Sequence, residues 1–267
     1  QRGQKINLSP VHQYSEKLNL NVRHPNDLNN EKEIQFFKRI NPDVVIVVAY
    51  GKILPKKILD LKNIIFLNIH ASLLPKWRGA APIQRSIMNM DKETGISIMK
   101  ILPKLDSGPI LLKEKLKITK DDDYISLSKK LSILGSKLMI DSLNLIEINS
   151  LKFTDQDESH ATYANKIDKM EAIVDWNLTA KQLVAKIKGL NPSPGVWFIH
   201  KRARIKIISA LETNYNGNPG EVLDDELTIA CKENSIKISS LQKEGKKKLT
   251  SKDFLTGYKI KKGEKLS

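Results

Sequence analysis

The chain has a single cysteine and no long apolar run. Both features bear on the cellular compartment in which it works. Cys231 has no partner among the 267 residues, so no disulfide can form within the chain. This favours a reducing compartment. The apolar runs fall far short of the ~20 residues that a membrane-spanning helix needs. The chain starts at Gln1 and shows no secretory leader pattern. We therefore expect a processed or incomplete chain that works in the cytoplasm of a bacterium or in an organelle matrix.

Motifs for metal and nucleotide chemistry are also lacking. Four histidines are scattered and form no cluster with cysteine or aspartate at ligand spacing: His12, His24, His160 and His200. This argues against a metal site. There is no glycine-rich loop that could hold phosphates, so the sequence gives no support for binding of a nucleoside triphosphate. No nucleophile elbow surrounds Ser72, which argues against a serine hydrolase.

Positive charge is the strongest bias in the composition. The chain has 45 Lys and Arg against 30 Asp and Glu, a formal net charge of +15 and a pI of about 9.6. Such an excess favours a polyanionic partner, and nucleic acid is the usual one. The alternative is compositional drift, because Lys, Ile and Asn are abundant throughout the sequence. Charge alone leaves both interpretations open.

The stretch of residues 64–84 contains the strongest candidates for functional residues. An apolar run at residues 64–67 predicts a buried strand that continues to Asn68 and His70. These two residues are two positions apart and therefore share one side of the strand. Beyond the carboxyl end of a strand in an open parallel sheet, such side chains mark a ligand site. An amide can donate to an oxyanion, and an imidazole can move protons near neutral pH. The spacing also allows that the two side chains merely close the strand.

The first half of the chain predicts an α/β architecture. The run at 43–49 is apolar without alternation, which is typical of a parallel strand covered by helices on both faces. Further strands are expected at 20–24, 94–102 and 109–118. Helices are expected at 11–18, 31–40 and about 119–148, the last capped by Thr119 or one of three aspartates at 121–123. Together these elements predict a Rossmann-like, mostly parallel sheet.

The second half predicts a smaller, separate domain. Residues 151–169 are polar and weakly patterned, which is typical of a linker. A helix is expected at 179–190, short strands within 196–208 and 220–241, and a final helix at 250–257. Lysines are dense towards the end of the chain. Small barrels with basic faces often bind single strands or RNA, although a solvated surface has the same composition.

Two motifs resemble those of a known enzyme family. The chain from Asn68 to Pro75 matches the pattern Asn-x-His-x-Ser-Leu-Leu-Pro, and residues 105–109 supply Leu-Asp-Ser-Gly-Pro. Both are similar to motifs of the 10-formyltetrahydrofolate-dependent formyltransferases. The sequence Arg-Gly-Ala-Ala-Pro-Ile-Gln at 78–84 resembles one branch in particular, which acts on methionyl-tRNA. The resemblance covers nearly the whole chain, from about residue 2 to about residue 258.

The resemblance implies a domain division and a set of partners. Residues 1–150 would form the catalytic domain, with its N-terminal part missing. Residues 151–169 would be the linker, and 170–267 a C-terminal OB-like β-barrel that binds tRNA. The implied formyl donor is 10-formyltetrahydrofolate, a co-substrate, and no metal is implied. The implied partner is initiator methionyl-tRNA, without membrane association, and the implied oligomeric state is a monomer.

The resemblance also implies roles for individual residues. The catalytic residues are Asn68, His70 and Asp106. The folate-binding residues are Ser72, Leu73, Leu74, Pro75, Ala49, Tyr50, Gly51 and Ile53. The tRNA-binding residues are Arg2, Lys5, Lys246, Lys247 and Lys248. A cis peptide is expected between Leu74 and Pro75, as in related formyltransferases.

In the implied reaction, the amine of the substrate attacks the formyl carbon. Asn68 and His70 stabilise the resulting oxyanion. Asp106 orients His70, favours its protonated form and helps to carry the amine proton through a water. Two alternatives remain at this point. One is a sister formyltransferase that acts on an amino sugar or a purine precursor, and the other is an RNA-binding module with an inactive catalytic domain.

Overall fold

The computed structural model describes residues 8–266. Arg2 and Lys5, two of the residues expected to bind tRNA, lie outside the described residues. The described chain divides into two compact units. The smaller comprises residues 8–45 and 52–65, and the larger comprises residues 46–51 and 66–266.

The smaller unit is mainly helical. Its helices are α1 (Pro10–Lys17), α2 (Glu31–Ile40) and α3 (Lys56–Leu59). The side chain of Asn30 accepts a hydrogen bond from the Lys32 amide and caps α2, which has the predicted bounds. The expected strand at 20–24 is wrong. Within the described residues this segment has no ladder partner, and Leu20 stays 58% exposed, so its short apolar pattern buries no face.

The first sheet is mixed. Its four strands lie in the order β1 (Val44–Val48), β2 (Ile65–His70), β3 (Glu93–Lys100), β4 (Ile110–Lys117). The sheet contains a parallel component, but β3 pairs antiparallel with both β2 and β4. The expectation of a mostly parallel sheet is therefore corrected to a mixed one. For β3 and β4, the short connection at 101–109 holds no crossover helix and returns the chain as an antiparallel hairpin.

Helices α4 (Pro82–Met88) and α5 (Tyr124–Glu147) belong to the same half of the chain. α5 begins at a capping box, in which Asp123 and Ser126 each accept a hydrogen bond from the other's backbone amide. The prediction that an aspartate caps this helix is confirmed. Asp122 is buried beside this cap, where the Lys130 ammonium contacts both of its carboxylate oxygens. The buried face of α5 packs on β3 and β4 and includes Leu127, Leu131 and Leu138.

Residues 151–169 are ordered by contacts with the catalytic half. Thr154 pairs with Ile110, the first residue of β4, and Tyr163 pairs with Arg78 through isolated bridges. A short 3₁₀ turn, Glu158–His160, lies between them. The segment therefore makes ordered contacts with β4 and with the loop that follows β2.

The second sheet is open. Its strands are β5 (Trp197–His200), β6 (Ala203–Thr213), β7 (Thr228–Ala230), β8 (Ser235–Lys243) and β9 (Lys248–Thr250). The order is β5-β6-β8-β7, with β9 also paired to β8. No pairing among the described residues joins β7 to β5, so the expected OB-like barrel is not closed. These strands form a second sheet in which every pair of neighbouring strands is antiparallel.

One apolar core holds the second sheet against its helices, α6 (Ala180–Leu190) and α7 (Ser251–Gly257). Its members include Leu183, Ile187, Phe198, Ile207, Ile238 and Phe254. Thr179 and Gln182 form the capping box that starts α6, close to the predicted boundary. No helix in the described part of the chain is both long and apolar enough to cross a membrane.

Candidate functional site

The site is built on the carboxyl end of β2. Asn68 and His70 share one side of this strand, as their spacing predicted. Their neighbours across the ladder on β3 are Met99 and Ser97. β2 is an interior strand, and its last residues stay paired with β3 up to His70, which gives the two side chains an ordered base.

His70 is almost completely buried, with 5% of its surface exposed. Its Nε2 lies 2.9 Å from the backbone carbonyl oxygen of Trp77. A carbonyl only accepts, so Nε2 must carry a proton. Trp77 adopts a positive φ of 61°, which is rare for a bulky residue. The loop conformation at Trp77 therefore determines the tautomer of His70.

Asp106 comes from the β3–β4 connection and approaches the other ring nitrogen. Its Oδ2 lies 3.6 Å from His70 Nδ1 and accepts a hydrogen bond of 2.8 Å from the Gly79 amide. The expected convergence of His70 and Asp106 is confirmed. Asp106 adopts a left-handed φ of 44°, a conformation that aspartate tolerates better than most residues.

Opposing effects act on the pKa of His70. Burial lowers the pKa of His70 below its ordinary value, while the Asp106 carboxylate and the Trp77 carbonyl act in the opposite direction. The Asp106 carboxylate thus acts in the expected direction, but desolvation is the larger effect, so the free site favours neutral imidazole. With Nε2 protonated, the lone pair on Nδ1 faces Asp106. Nδ1 is then the nitrogen that can accept a proton.

The Asn68 amide is available for a ligand. Its residue is partly buried, and the side chain makes no hydrogen bond with another described residue. An amide NH₂ on the same side of the strand as His70 can donate to an oxygen bound there. This donor can stabilise negative charge on such an oxygen.

The loop after β2 is fixed by two buried serines. Ser97 Oγ donates to the Ser72 carbonyl at 2.8 Å and accepts from the Leu74 amide at 3.1 Å. Ser72 Oγ donates to the Lys76 carbonyl at 2.5 Å. Ser72 and Leu74 are both fully buried, so their side chains shape the loop and only Leu73 and Pro75 are partly exposed. The peptide between Leu74 and Pro75 is cis, which confirms the prediction.

The remaining residues expected to bind folate follow β1. Ala49 and Gly51 are exposed, and Tyr50 is 41% exposed. Ala49 has a left-handed φ of 51°, which turns the chain out of the strand. Ile53 belongs to the smaller unit and is 87% exposed. These side chains lie on the surface and are free to contact a ligand.

Sequence reasoning missed three residues that support this site. Trp77 supplies the carbonyl that holds His70. The Arg78 side chain is fully buried and binds Gln156 and Glu158. A hydrogen bond from Arg78 lowers the pKa of Glu158 to about 2, with Lys104 contributing in the same direction. Arg78 was visible in the sequence only as the first residue of the motif at 78–84, whereas Trp77 and Gln156 belong to no recognisable pattern.

The lysines expected to bind tRNA lie on the second sheet. Lys246 and Lys247 are in the turn between β8 and β9, and Lys248 begins β9. All three are exposed. Gln242 Nε2 donates to the Lys246 carbonyl and fixes the turn. The three ammonium groups thus project from an ordered hairpin.

Two family profiles match this chain. One described as "Formyl transferase" matches residues 1–143, and one described as "Formyl transferase, C-terminal domain" matches residues 166–259. Together they cover most of the sequence. The chain therefore belongs to the formyl transferase family.

Curated relatives narrow this family to one branch. A methionyl-tRNA formyltransferase of Pelagibacter ubique is 49% identical over 100% of this chain and 87% of its own length. One of Parvibaculum lavamentivorans is 43% identical over 100% of this chain and 88% of its own length. Both alignments run through the catalytic half and the second domain.

Solved structures share the fold at low identity. A methionyl-tRNA formyltransferase from Clostridium thermocellum has a TM-score of 0.58 and 20% identity, covering 76% of this chain and 87% of its own. HypX from Aquifex aeolicus, solved in complex with tetrahydrofolic acid, has a TM-score of 0.67 and 19% identity. It covers 88% of this chain and 44% of its own. These likenesses concern the fold alone.

Proposed function

We propose that this enzyme transfers the formyl group of 10-formyltetrahydrofolate to the α-amino group of initiator methionyl-tRNA, a step of translation initiation. The approach of Asp106 to His70 beside the Asn68 amide carries the proposal, since it gives formyl transfer both an oxyanion donor and a proton acceptor. The identity to methionyl-tRNA formyltransferases along the full chain supports the choice of substrate.

The three catalytic residues have separate tasks. The donor supplies an electrophilic formyl carbon when bound. Asn68 donates its amide hydrogen to the formyl oxygen as negative charge develops there. His70 is held by the Trp77 carbonyl and presents Nδ1 on the Asp106 side. Nδ1 takes up the amine proton, directly or through a water, and Asp106 stabilises the imidazolium that results. Collapse of the tetrahedral adduct then breaks the bond between the formyl carbon and the donor nitrogen, and the proton passes from His70 to that nitrogen as tetrahydrofolate leaves.

The folate donor contacts two loops in this proposal. Ser72 and Leu74 act through the backbone that they hold, and Leu73 and Pro75 offer partly exposed side chains. The exposed turn Ala49, Tyr50 and Gly51 and, beyond it, Ile53 supply the apolar wall. The partly buried Asn68 amide fits the formyl end of the same molecule.

The second domain binds tRNA in this proposal. It comprises residues 170–267 and has an OB-like arrangement, whereas residues 1–150 form the catalytic domain and 151–169 connect the two. Lys246, Lys247 and Lys248 contact phosphates, and Arg2 and Lys5 contact the acceptor end. The enzyme acts as a cytoplasmic monomer. Exposed lysines on an ordered hairpin support the phosphate contacts.

A formyl-transfer assay with three acceptors tests the proposal. Purified protein and 10-formyltetrahydrofolate are incubated with charged initiator tRNA, with a nucleotide-linked amino sugar, or with a purine-precursor amine. We expect formylation of the tRNA alone, and loss of turnover in the His70→Ala variant. Formylation of the sugar or the purine precursor, with untouched tRNA, would replace this function by a sister reaction. Binding of tRNA without transfer to any acceptor would indicate an inactive RNA-binding module.

A further inference from the structure

Residues 154–164, called the strap here, lie across the two loops that carry the catalytic groups. At one end, Thr154 exchanges two backbone hydrogen bonds with Ile110 of β4, of 2.8 and 2.9 Å. Towards the other end, the Arg78 amide donates to the Thr162 carbonyl at 2.9 Å. The strap is therefore fastened both to the β3–β4 hairpin and to the loop that follows β2.

Gln156 lies near the start of the strap and bridges these two loops. Its Nε2 donates to the carbonyl oxygens of Asp106 at 2.9 Å and Gly108 at 2.7 Å. Its Oε1 accepts from Arg78 Nε at 3.0 Å and Nη2 at 2.8 Å. A glutamine amide has two donor hydrogens and two acceptor lone pairs. All four are used, so the orientation of the amide is fixed by its partners.

The two ends of this bridge carry the partners of His70. The donor end holds the backbone of Asp106, whose carboxylate lies 3.6 Å from His70 Nδ1. The acceptor end holds Arg78, the residue directly after Trp77, whose carbonyl contacts His70 Nε2. Arg78 is fully buried and cannot move without losing its partners. Gln156 therefore links the two groups that flank the imidazole on opposite sides.

We propose that Gln156 is a positioning residue for formyl transfer, which sets the distance between Asp106 and His70 by holding the Asp106–Gly108 backbone against the buried Arg78. The inference rests on the proposed function, since it concerns the same site. A displacement of about 1 Å in such a constellation can cost about 10²-fold in rate. Gln156 does not touch the reacting atoms in this scheme and acts only through Asp106.

The substitution Gln156→Glu separates positioning from simple stabilisation. A glutamate keeps the shape of the side chain and keeps the oxygen that accepts both hydrogen bonds from Arg78. It replaces the amide NH₂ donor by a second oxygen, which faces the carbonyl oxygens of Asp106 and Gly108. Because none of these three oxygens carries a hydrogen to donate, they repel one another. The contact with Arg78 thus survives while the contact with the catalytic loop is lost.

Gln182→Glu is the matched control. Gln182 is exposed at the start of α6, and its Oε1 accepts from the Thr179 amide. A glutamate serves equally in that capping box. The control therefore makes the same chemical change and adds the same charge, away from the site.

Steady-state kinetics and NMR titration of His70 are measured for wild type, Gln156→Glu, Gln156→Ala and Gln182→Glu. For both Gln156 variants we expect kcat to fall about 10²-fold, with KM for methionyl-tRNA and folate changing less than about threefold. Asp106 raises the pKa of His70, so its displacement should move the His70 titration to lower pH without any substrate present. The Gln182→Glu control should match wild type in both measurements.

Three outcomes decide between the possibilities. A folded Gln156→Glu protein with wild-type kcat and an unchanged His70 titration would overturn the inference. If Gln156→Glu does not fold, Gln156→Ala carries the same test, because it removes the donor without adding charge. If wild type transfers no formyl group while the His70 titration still shifts in the Gln156 variants, the proposed function fails and the positioning role stands.

Discussion

The two ring nitrogens of His70 have different environments, and this asymmetry defines the chemistry of the site. Nε2 is committed to the Trp77 carbonyl, so it stays protonated throughout a reaction. Nδ1 faces a carboxylate at 3.6 Å and is the nitrogen at which protonation can change. Burial keeps the ring neutral at rest, and Asp106 limits how far its pKa falls. The pair can thus accept the proton that an attacking amine must lose.

Replacing Asp106 by asparagine tests whether its carboxylate controls protonation of His70 at Nδ1. Asp106→Asn keeps an oxygen that can accept from the Gly79 amide but removes the negative charge beside His70. The pKa of His70 should fall further, because the Asp106 carboxylate raises it. We expect kcat to drop about 10²-fold or more, and the His70 titration to move to lower pH. NMR titration and pH–rate profiles measure both. An unchanged His70 titration would show that Asp106 does not govern the imidazole.

Cys231 illustrates a residue whose environment suppresses its chemistry. The side chain is 1% exposed, and burial raises its pKa to about 11. The reactive thiolate is therefore scarce at neutral pH. We expect no alkylation by iodoacetamide at pH 8 in the native protein and one added group per chain in guanidinium chloride, read by mass spectrometry. Rapid alkylation of the native protein would contradict the burial of this part of the second domain.

At the scale of elements, one serine connects β3 to the loop after β2. Ser97 is fully buried and uses its hydroxyl as donor to Ser72 and as acceptor for Leu74. Both partners are backbone groups of residues 72–74, which lie outside the strand pairing of the described residues. The ladder between β2 and β3 ends at His70. Beyond it, the Ser97 side chain makes the hydrogen bonds that connect β3 to this loop.

Ser97→Ala should loosen this loop. It leaves a buried carbonyl and a buried amide without a partner, which costs roughly 1–3 kcal/mol. We expect a lower denaturation midpoint and a higher KM for folate. Ser136→Ala is the control, because Ser136 is exposed on α5 and bonds only to the Ile133 carbonyl. That variant should stay within about 0.5 kcal/mol of wild type. Equal stability of the two variants would show that the Ser97 contacts add nothing.

Some elements follow from local patterns and others do not. α2 was predicted with its bounds because its apolar residues follow a helical period and Asn41-Pro42 ends the pattern. Strand periodicity places Asn68 and His70 on one side of β2, and the resemblance to the formyltransferase motif singled them out as a candidate site. The strap was missed, since Gln156 acts through contacts with residues far along the chain. The mixed sheet was missed because the pattern of a buried strand does not reveal its direction.

At the scale of the whole molecule, the second domain packs firmly on the catalytic half. α4 lies against α6, and Arg85 of α4 pairs with Glu171 at 2.6 Å. The Arg85 guanidinium also donates to the Asn165 carbonyl. The core of the second domain is continuous with this contact through Met88. The second sheet and its helices are therefore joined to α4 by both apolar and ionic contacts.

The last prediction concerns the affinity for tRNA. Lys246, Lys247 and Lys248 are exposed on one hairpin, and each phosphate that they neutralise releases counterions. Replacing all three by alanine should weaken binding of every tRNA alike. It should also reduce the slope of log K against log salt by about two to three, at about 0.7–0.9 per lost contact. Filter binding or fluorescence titration from low to high salt measures both quantities.

A second triple variant removes the same charge elsewhere. Lys56, Lys57 and Lys62 are exposed in the smaller unit, and their replacement by alanine lowers the net charge equally. If the net charge of +15 acts only as a diffuse field, both triples should weaken tRNA binding to the same extent. If the hairpin contacts phosphates directly, only the Lys246–Lys248 triple should flatten the salt slope, because counterion release counts local contacts. Equal effects of the two triples would therefore remove the hairpin from the tRNA interface, while transfer to charged tRNA could still be measured independently.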